Sequence, residues 1–115
     1  MEVTNSDLTR FIGGQIELKN PRKGYLYCGN IRSLYVTGFE LLVYFNWMAE
    51  AVGFPPIPKR WIWNSYTEYS WEIQDVSDTG PDGSNGGRLF FQTPNGLITL
   101  FPPGMEVLDQ SQVGR

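Results

Sequence analysis

Two of the side chains that most often carry out catalysis, histidine and cysteine, are absent or nearly absent from this sequence. The chain has no histidine, which removes the Ser-His and Cys-His nucleophile pairs and most zinc and transition-metal sites. Its single cysteine, Cys28, follows the apolar residues Tyr25-Leu26-Tyr27, so we predict a buried and unreactive thiol. The glycine pairs lack the spacing and the lysine of a phosphate-binding loop. We therefore predict a protein that is not an enzyme and that needs no cofactor.

Acidic residues are the remaining candidates for chemistry. Glu68 and Glu72 would share one face of a strand, about 13 Å apart at a rise of ~3.3 Å per residue, whereas paired carboxyls of glycosidases are roughly 5 to 9.5 Å apart. We predict two solvent-facing charges and keep a carboxylate-dependent hydrolase as the second alternative. The polar loop 75–87 contains oxygen ligands suited to Ca²⁺. Its order differs from that of an EF-hand, and its composition is also that of turns, so we predict no metal site.

Aromatic residues are the strongest functional signal. They make up 15% of the chain, with four tryptophans, and such side chains favour both strands and binding surfaces. Aromatic rims of small barrels bind proline-rich peptides or methylated lysines. Two alternatives remain. In the first, the tryptophans fill the core. In the second, the proline-rich segment Phe54–Pro58 is itself a ligand, either for another protein or for the chain's own tryptophans. The predicted binding residues are Trp61, Trp63, Tyr25, Tyr27 and Tyr35.

The charge distribution indicates the class of partner. A net charge of −3 argues against a nucleic-acid binder, because neutralisation of phosphates supplies much of that affinity. We therefore predict that the partner is another protein or a peptide, which includes a second copy of the chain. The first alternative is a small barrel that binds single-stranded or structured nucleic acid through exposed tyrosines and the basic residues of the first third. These basic residues are Lys19, Arg22, Lys23 and Arg32.

The length and the start of the chain indicate one domain outside membranes. A chain of 115 residues fits a single domain, with an expected ordered core from 10 to 108 and loose termini. The segment Met1–Asp7 is polar and lacks the apolar stretch of a secretory signal. The longest apolar run, 39–52, is interrupted by polar residues and is too short to span a bilayer. We therefore predict a cytoplasmic protein without membrane contact.

Alternation of apolar and polar residues predicts six strands separated by turns. Gly29-Asn30 would bend the second strand, and Thr93-Pro94-Asn95-Gly96 predicts a C-terminal hairpin with glycine where φ is positive. The prolines of Phe54–Pro58 exclude a central strand and predict a surface loop. The predicted strands are Phe11–Leu18, Tyr25–Val36, Phe39–Trp47, Trp61–Ile73, Arg88–Thr93 and Leu97–Phe101.

The segment from Phe39 to Val52 fits two structures. Its apolar residues recur at helical spacing, yet those from Leu41 to Trp47 also alternate as strand residues do. No Ser, Asp or Asn precedes the segment as a helix N-cap. We predict a strand through Trp47, with Met48–Val52 as its frayed end or as a single helical turn.

These strands predict an all-β fold. It would be a small barrel or a compact β-sandwich of five to six antiparallel strands with a C-terminal hairpin. Cys28-Gly29-Asn30-Ile31 before a turn, followed by Leu42-Val43-Tyr44-Phe45, is similar to the bent second strand and apolar third strand of SH3-like and Tudor-like barrels. The predicted function is a non-enzymatic interaction module that binds another protein or a peptide through an aromatic surface.

Overall fold

The computed structural model describes residues 2–20, 25–52, 57–62, 68–79 and 87–105. A short helix α1 (Asn5–Leu8) continues into a 3₁₀ helix (Thr9–Phe11). Within the described residues the strands are β1 (Gln15–Asn20), β2 (Tyr25–Thr37), β3 (Glu40–Val52), β4 (Ile57–Ile62), β5 (Glu68–Glu72), β6 (Asp75–Ser77), β7 (Leu89–Thr93) and β8 (Gly96–Phe101). They form one antiparallel sheet in the order β4-β3-β2-β1-β8-β7-β6, with β5 also paired to β3. The all-β prediction is confirmed.

Over the described residues the sheet has eight strands, more than the five or six predicted, partly because the predicted strand Trp61–Ile73 is divided. β4 ends at Ile62 and β5 begins at Glu68. Both strands pair with β3: β5 along its first half and β4 along its second half. The alternating pattern alone does not reveal this division, because both pieces keep a period of two.

Two segments predicted to be loops contribute strands. Ile57 and Pro58 belong to β4, which lies at the edge of the sheet, where a proline is tolerated. Asp75–Ser77 forms β6 against β7, and Val76 buries its side chain in the core. Of the loop predicted from 75 to 87, residues 80–86 lie outside the described residues.

The hairpin of β2 and β3 bends where the sequence predicts. The register between the two strands shifts after Asn30 and again after Ile31, which confirms the bend at Gly29-Asn30. Because of this irregularity, Phe45 and Trp47 lie in different apolar clusters. Phe45 belongs to the main core, the larger cluster, which includes Leu8, Phe11 and Phe91. Trp47 belongs to a second apolar cluster with Cys28, Ala49 and Ala51. A Cβ atom on Gly29 would overlap the Phe45 ring, so this close approach requires glycine.

β3 is extended over its whole length, so the helical alternative for Phe39–Val52 is wrong. The last part, Met48–Val52, was predicted to be a frayed end or a helical turn. It is neither, because β2 pairs with it on one side and β4 on the other. Pairing on both edges provides hydrogen-bond partners for the backbone groups of this segment. The spacing of apolar residues within the segment does not reveal these pairings, because they are made with distant parts of the chain.

The N-terminal helices pack against the main core. We call the face of the sheet that carries this core the inner face. Leu8 and Phe11 are fully buried, and Leu8 precedes the predicted start of the ordered core at residue 10. The predicted first strand begins at Gln15 rather than Phe11, because Phe11 belongs to the 3₁₀ helix. Ile12, which follows the 3₁₀ helix, is 44% exposed. In the described ranges, no helix has the length and the apolar character needed to cross a membrane.

The two ends of the sheet are joined by the chain and not by strand pairing. β5 and β6 are separated by Ile73 and Gln74, whose N–H groups donate to different strands or turns. The Ile73 N–H donates to the Phe39 carbonyl at 2.6 Å, and the Gln74 N–H donates to the Gln92 carbonyl at 2.8 Å. The sheet is therefore not closed, and neither the SH3-like or Tudor-like barrel nor the sandwich is confirmed.

β7 and β8 form the predicted C-terminal hairpin. Thr93 pairs with Gly96 across the two-residue turn Pro94-Asn95, and Gly96 has a φ of +134°. The Thr93 hydroxyl donates to the Gly96 carbonyl at 2.8 Å and accepts from the Asn95 N–H at 3.1 Å. These bonds hold Asn95 where the turn meets the candidate site described next.

Candidate binding cavity

A cavity of about 410 Å³ lies beside the point where β4 and β5 separate. Its volume is within the range of pockets that hold ligands. The lining is mostly apolar and aromatic, with two asparagines and one serine. It consists of Leu18, Asn20, Tyr27, Met48, Ile62, Tyr69, Ser70, Trp71 and Asn95.

The division of β4 from β5 makes room for this cavity. Because β5 pairs with the first half of β3 and β4 with the second half, residues 45–47 pair with neither of these strands. Met48 lies directly opposite Ile62, and Leu18 lies opposite Tyr27. These four side chains line the cavity from neighbouring strands of the sheet.

Two aromatic rings from β5 line the cavity from the other side. Tyr69 and Trp71 alternate with exposed residues along β5, and their rings are stacked at 6.2 Å between centroids. Phe45, which is 1% exposed, contacts both rings edge-on, at 5.4 Å from Tyr69 and 6.4 Å from Trp71. Such contacts add to the packing energy of aromatic side chains. The two half-buried rings are therefore held in place by the core before any partner binds.

An ion pair extends the inner face beyond the cavity. Glu50 lies opposite Tyr27 on β2 and opposite Arg60 on β4. The Arg60 Nε and the Glu50 Oε2 are 2.8 Å apart, and the side-chain exposure is 66% for Arg60 and 11% for Glu50. Because alternate residues of a strand share a face, Arg60 is on the same side of β4 as Ile62. The exposed end of this pair is therefore the cation.

No family model, no curated protein and no solved structure matches this chain. A fold class of this kind hosts many unrelated functions, so it does not define one here. The chemistry of the cavity and its surroundings is the basis for the functional conclusion.

The predicted binding residues do not form one surface. Tyr27 lines the cavity. Trp61 lies in the second apolar cluster, away from the main core, and packs against Trp47 with ring centroids 5.2 Å apart. Tyr35 is exposed at the far end of β2, where its hydroxyl donates to a carboxylate oxygen of Glu68 at 2.7 Å. For Tyr25 the structure describes only the backbone, in β2, and Trp63 lies outside the described residues.

The sequence prediction missed the two residues that contribute most of the aromatic lining. The alternation within the predicted strand Trp61–Ile73 puts Tyr69 and Trp71 on one face and Glu68 and Glu72 on the other, and the burial along β5 agrees with this division. Such a pattern identifies the buried face of a strand but not a gap beside it. The division between β4 and β5 leaves these two rings partly uncovered.

The acidic pair Glu68 and Glu72 lies on the exposed side of β5 and does not line the cavity. Glu68 instead lies opposite Tyr44 on β3 and accepts a hydrogen bond from the Tyr35 hydroxyl of β2. Hydrogen bonding to Glu68 raises the pKa of Tyr35 and of Tyr44. The structure therefore gives Glu68 a surface contact with tyrosine hydroxyls, and the hydrolase alternative gains no support from the cavity.

Cys28 is buried, as predicted, at 1% exposure. Burial raises the pKa of its thiol strongly, and the negative charge of Glu17 raises it further. Glu17 lies directly opposite Cys28 on β1, and burial also raises the pKa of the Glu17 carboxyl. A thiol that stays protonated is a poor nucleophile and a poor metal ligand.

The basic residues of the nucleic-acid alternative are only partly described. Lys19 and Arg32 are exposed, whereas Arg22 and Lys23 lie outside the described residues. Neither Lys19 nor Arg32 lines the cavity, so nucleic-acid binding stays a prediction. In the part of the chain that the structure describes, no three His, Cys, Asp or Glu side chains are grouped closely enough to hold a metal ion.

Proposed function

We propose that this chain is a non-enzymatic binding module that holds an apolar or aromatic side chain of a peptide or of another protein in the cavity beside β4 and β5. The observation that carries this proposal is the pair of half-buried rings, Tyr69 and Trp71, which the buried Phe45 holds in place. They supply a large apolar contact area that needs little ordering when a partner binds.

The lining chemistry supports an apolar anchor with polar surroundings. Tyr27, Met48 and Ile62 add apolar contacts, while the side chains of Asn20 and Asn95 supply amide donors and acceptors. Binding pockets commonly combine a mostly apolar lining with a few polar groups of this kind. The aromatic surface expected from the sequence is thus proposed at a different place, with Tyr27 as the member common to both.

We propose that the cavity binds its partner as SH3-like barrels do, which hold extended peptides in aromatic-lined grooves. The cytoplasmic location stays a prediction. The peptide selection described next tests neither the SH3-like mode of binding nor the location.

Selection from a display library of random linear peptides tests the proposal. We expect the selected peptides to share an apolar or aromatic anchor and to lose affinity about tenfold for the Ile62→Ser variant. Ile12→Ser is the matched control, because Ile12 is 44% exposed and does not line the cavity. Ile62→Phe, which narrows the cavity without adding a polar group, should weaken the same peptides.

Two results would contradict the proposal. One is a selection that enriches no peptide above the background of an unrelated protein. The other is equal affinity of the selected peptides for the Ile62→Ser and Ile12→Ser variants, with circular dichroism showing that both variants are folded.

A further inference from the structure

β4 is an edge strand beside the cavity. It stands at the end of the strand order, with β3 as its neighbour on one side. An extended segment can add to the edge of a sheet as a further strand. Pro58 lacks an N–H group, so pairing is favoured along the part of β4 from Arg60 to Ile62.

Two side chains on this part of β4 point to the same side of the sheet. Ile62 lines the cavity, and Arg60 is two positions away on the same face. A segment that pairs with β4 would place its own alternate side chains beside these two residues. The side chain next to Ile62 would reach the cavity, and the side chain two positions along would lie next to Arg60.

The Arg60 guanidinium is prepared to bind an anion. Its Nε is held by Glu50, and no other ion pair or hydrogen bond of Arg60 occurs within the described residues. The side chain is 66% exposed, and the Nη groups of a guanidinium match a carboxylate in geometry. Glu50 is mostly buried, so a partner that approaches from solvent meets the cation first.

We infer that the partner of this cavity is an extended protein segment in which an acidic side chain stands two residues from an apolar anchor, with the acid bound by Arg60 and the anchor by the cavity. The inference rests on the proposed function and names the chemistry of its partner. The spacing of two follows from the period of a strand, since a spacing of one would place the acid on the opposite face.

Two synthetic peptides of identical composition test this spacing. Acetyl-Glu-Thr-Phe-Thr-Glu-amide has glutamate two residues from phenylalanine on both sides, whereas acetyl-Thr-Glu-Phe-Glu-Thr-amide has it one residue away. The symmetry makes the result independent of strand direction. By calorimetry or NMR titration we expect the first peptide to bind about fivefold more tightly, which is the upper range for an exposed ion pair.

The double variant Glu50→Gln, Arg60→Gln removes the ion pair without leaving a buried carboxylate unpaired. We expect it to bind both peptides equally, with affinities close to that of the second peptide for the unmodified chain. Equal binding of the two peptides to the unmodified chain would overturn the inference. Persistence of the preference in the double variant would overturn it as well.

A third peptide separates this inference from the proposed function. In acetyl-Glu-Thr-Ser-Thr-Glu-amide the apolar anchor is replaced by serine. If the anchor matters but the position of the acid does not, the cavity binds side chains and the inference about Arg60 is wrong. If all three peptides bind equally or not at all, the proposed function fails together with the inference. A peptide with phenylalanine at a free C-terminus that binds better than the first peptide would assign Arg60 to a terminal carboxylate and overturn the side-chain assignment.

Discussion

At Cys28 a buried thiol lies opposite the half-buried carboxyl of Glu17 on the neighbouring strand. Burial is the main cause that raises the pKa of each, because it disfavours the charged form. The pair belongs to a face of the sheet that also carries Trp47 and Ala49. The free energy of unfolding should therefore depend on pH, and replacing the thiol isolates the part of this dependence that Cys28 causes.

The stability contribution of Cys28 should decrease in alkaline solution. The thiol of the unfolded chain titrates near pH 9.0, and the folded chain retains its proton to higher pH, so stability is complete below pH 9 and falls as the pH rises above it. Relative to Cys28→Ala, we expect the free energy of unfolding to fall by about 1.4 kcal/mol between pH 8 and pH 10. Urea unfolding at each pH measures this difference.

The comparison with Cys28→Ala removes the contribution of other groups. Tyr35 and Tyr44 also have raised pKa values and are present in both proteins. Parallel curves for the two proteins over this pH range would show that the thiol ionises as easily in the folded chain as in the unfolded chain.

The bend in the β2–β3 hairpin depends on one amide side chain. The Asn30 Nδ2 group donates to the carbonyls of Gly13 and Gly14, at 3.1 Å in each case. Its Oδ1 accepts from the Asn46 Nδ2 group at 2.6 Å. Asn30 thus connects the irregular part of the hairpin to the turn that precedes β1, which positions the N-terminal helices over the core.

Substitution of the two asparagines should therefore have unequal effects. Asn30→Ala removes the donor of two hydrogen bonds and the acceptor of a third, and we expect a loss of about 2 to 3 kcal/mol in the free energy of unfolding. Asn46→Ala removes one hydrogen bond of an exposed side chain, so we expect a loss below about 1 kcal/mol. Chemical denaturation of both variants gives the comparison, and equal losses would mean that the contacts with Gly13 and Gly14 contribute nothing.

At the scale of the whole molecule, the N-terminal helices contribute Leu8 and Phe11 to the core on the inner face of the sheet. Leu8 is fully buried there. A capping box begins α1, in which the side chains of Thr4 and Asp7 each accept from the other's backbone N–H. The segment therefore belongs to the cooperative unit of the molecule.

Leu8→Ala should destabilise the whole molecule, with an expected loss of about 2 to 5 kcal/mol for a large-to-small change in a core. Phe39→Ala is the control, because Phe39 is also large and apolar but is 81% exposed at the tip of the β2–β3 hairpin. We expect the control to change stability by less than about 0.5 kcal/mol. Thermal and urea unfolding test both, and a Leu8→Ala variant as stable as the control would show that the N-terminal helices do not contribute to the core.

The features that the sequence predicted correctly are determined locally. The C-terminal hairpin follows from Thr93-Pro94-Asn95-Gly96, because glycine takes the positive φ that the turn needs. The bend at Gly29-Asn30 and the burial of Cys28 also follow from neighbouring residues. Alternation likewise identified Tyr69 and Trp71 as inward positions, since the period of a strand assigns faces without knowledge of its partners.

Tertiary structure alone decided which strands are neighbours, and with that the candidate site. A register shift between β2 and β3 separates Phe45 from Trp47, and pairing of both β4 and β5 with β3 opens the cavity beside Ile62. The physical reason is that side-chain direction is local, whereas pairing between distant segments depends on the summed packing of many residues. A shift of one residue in such pairing moves every following side chain to the other face.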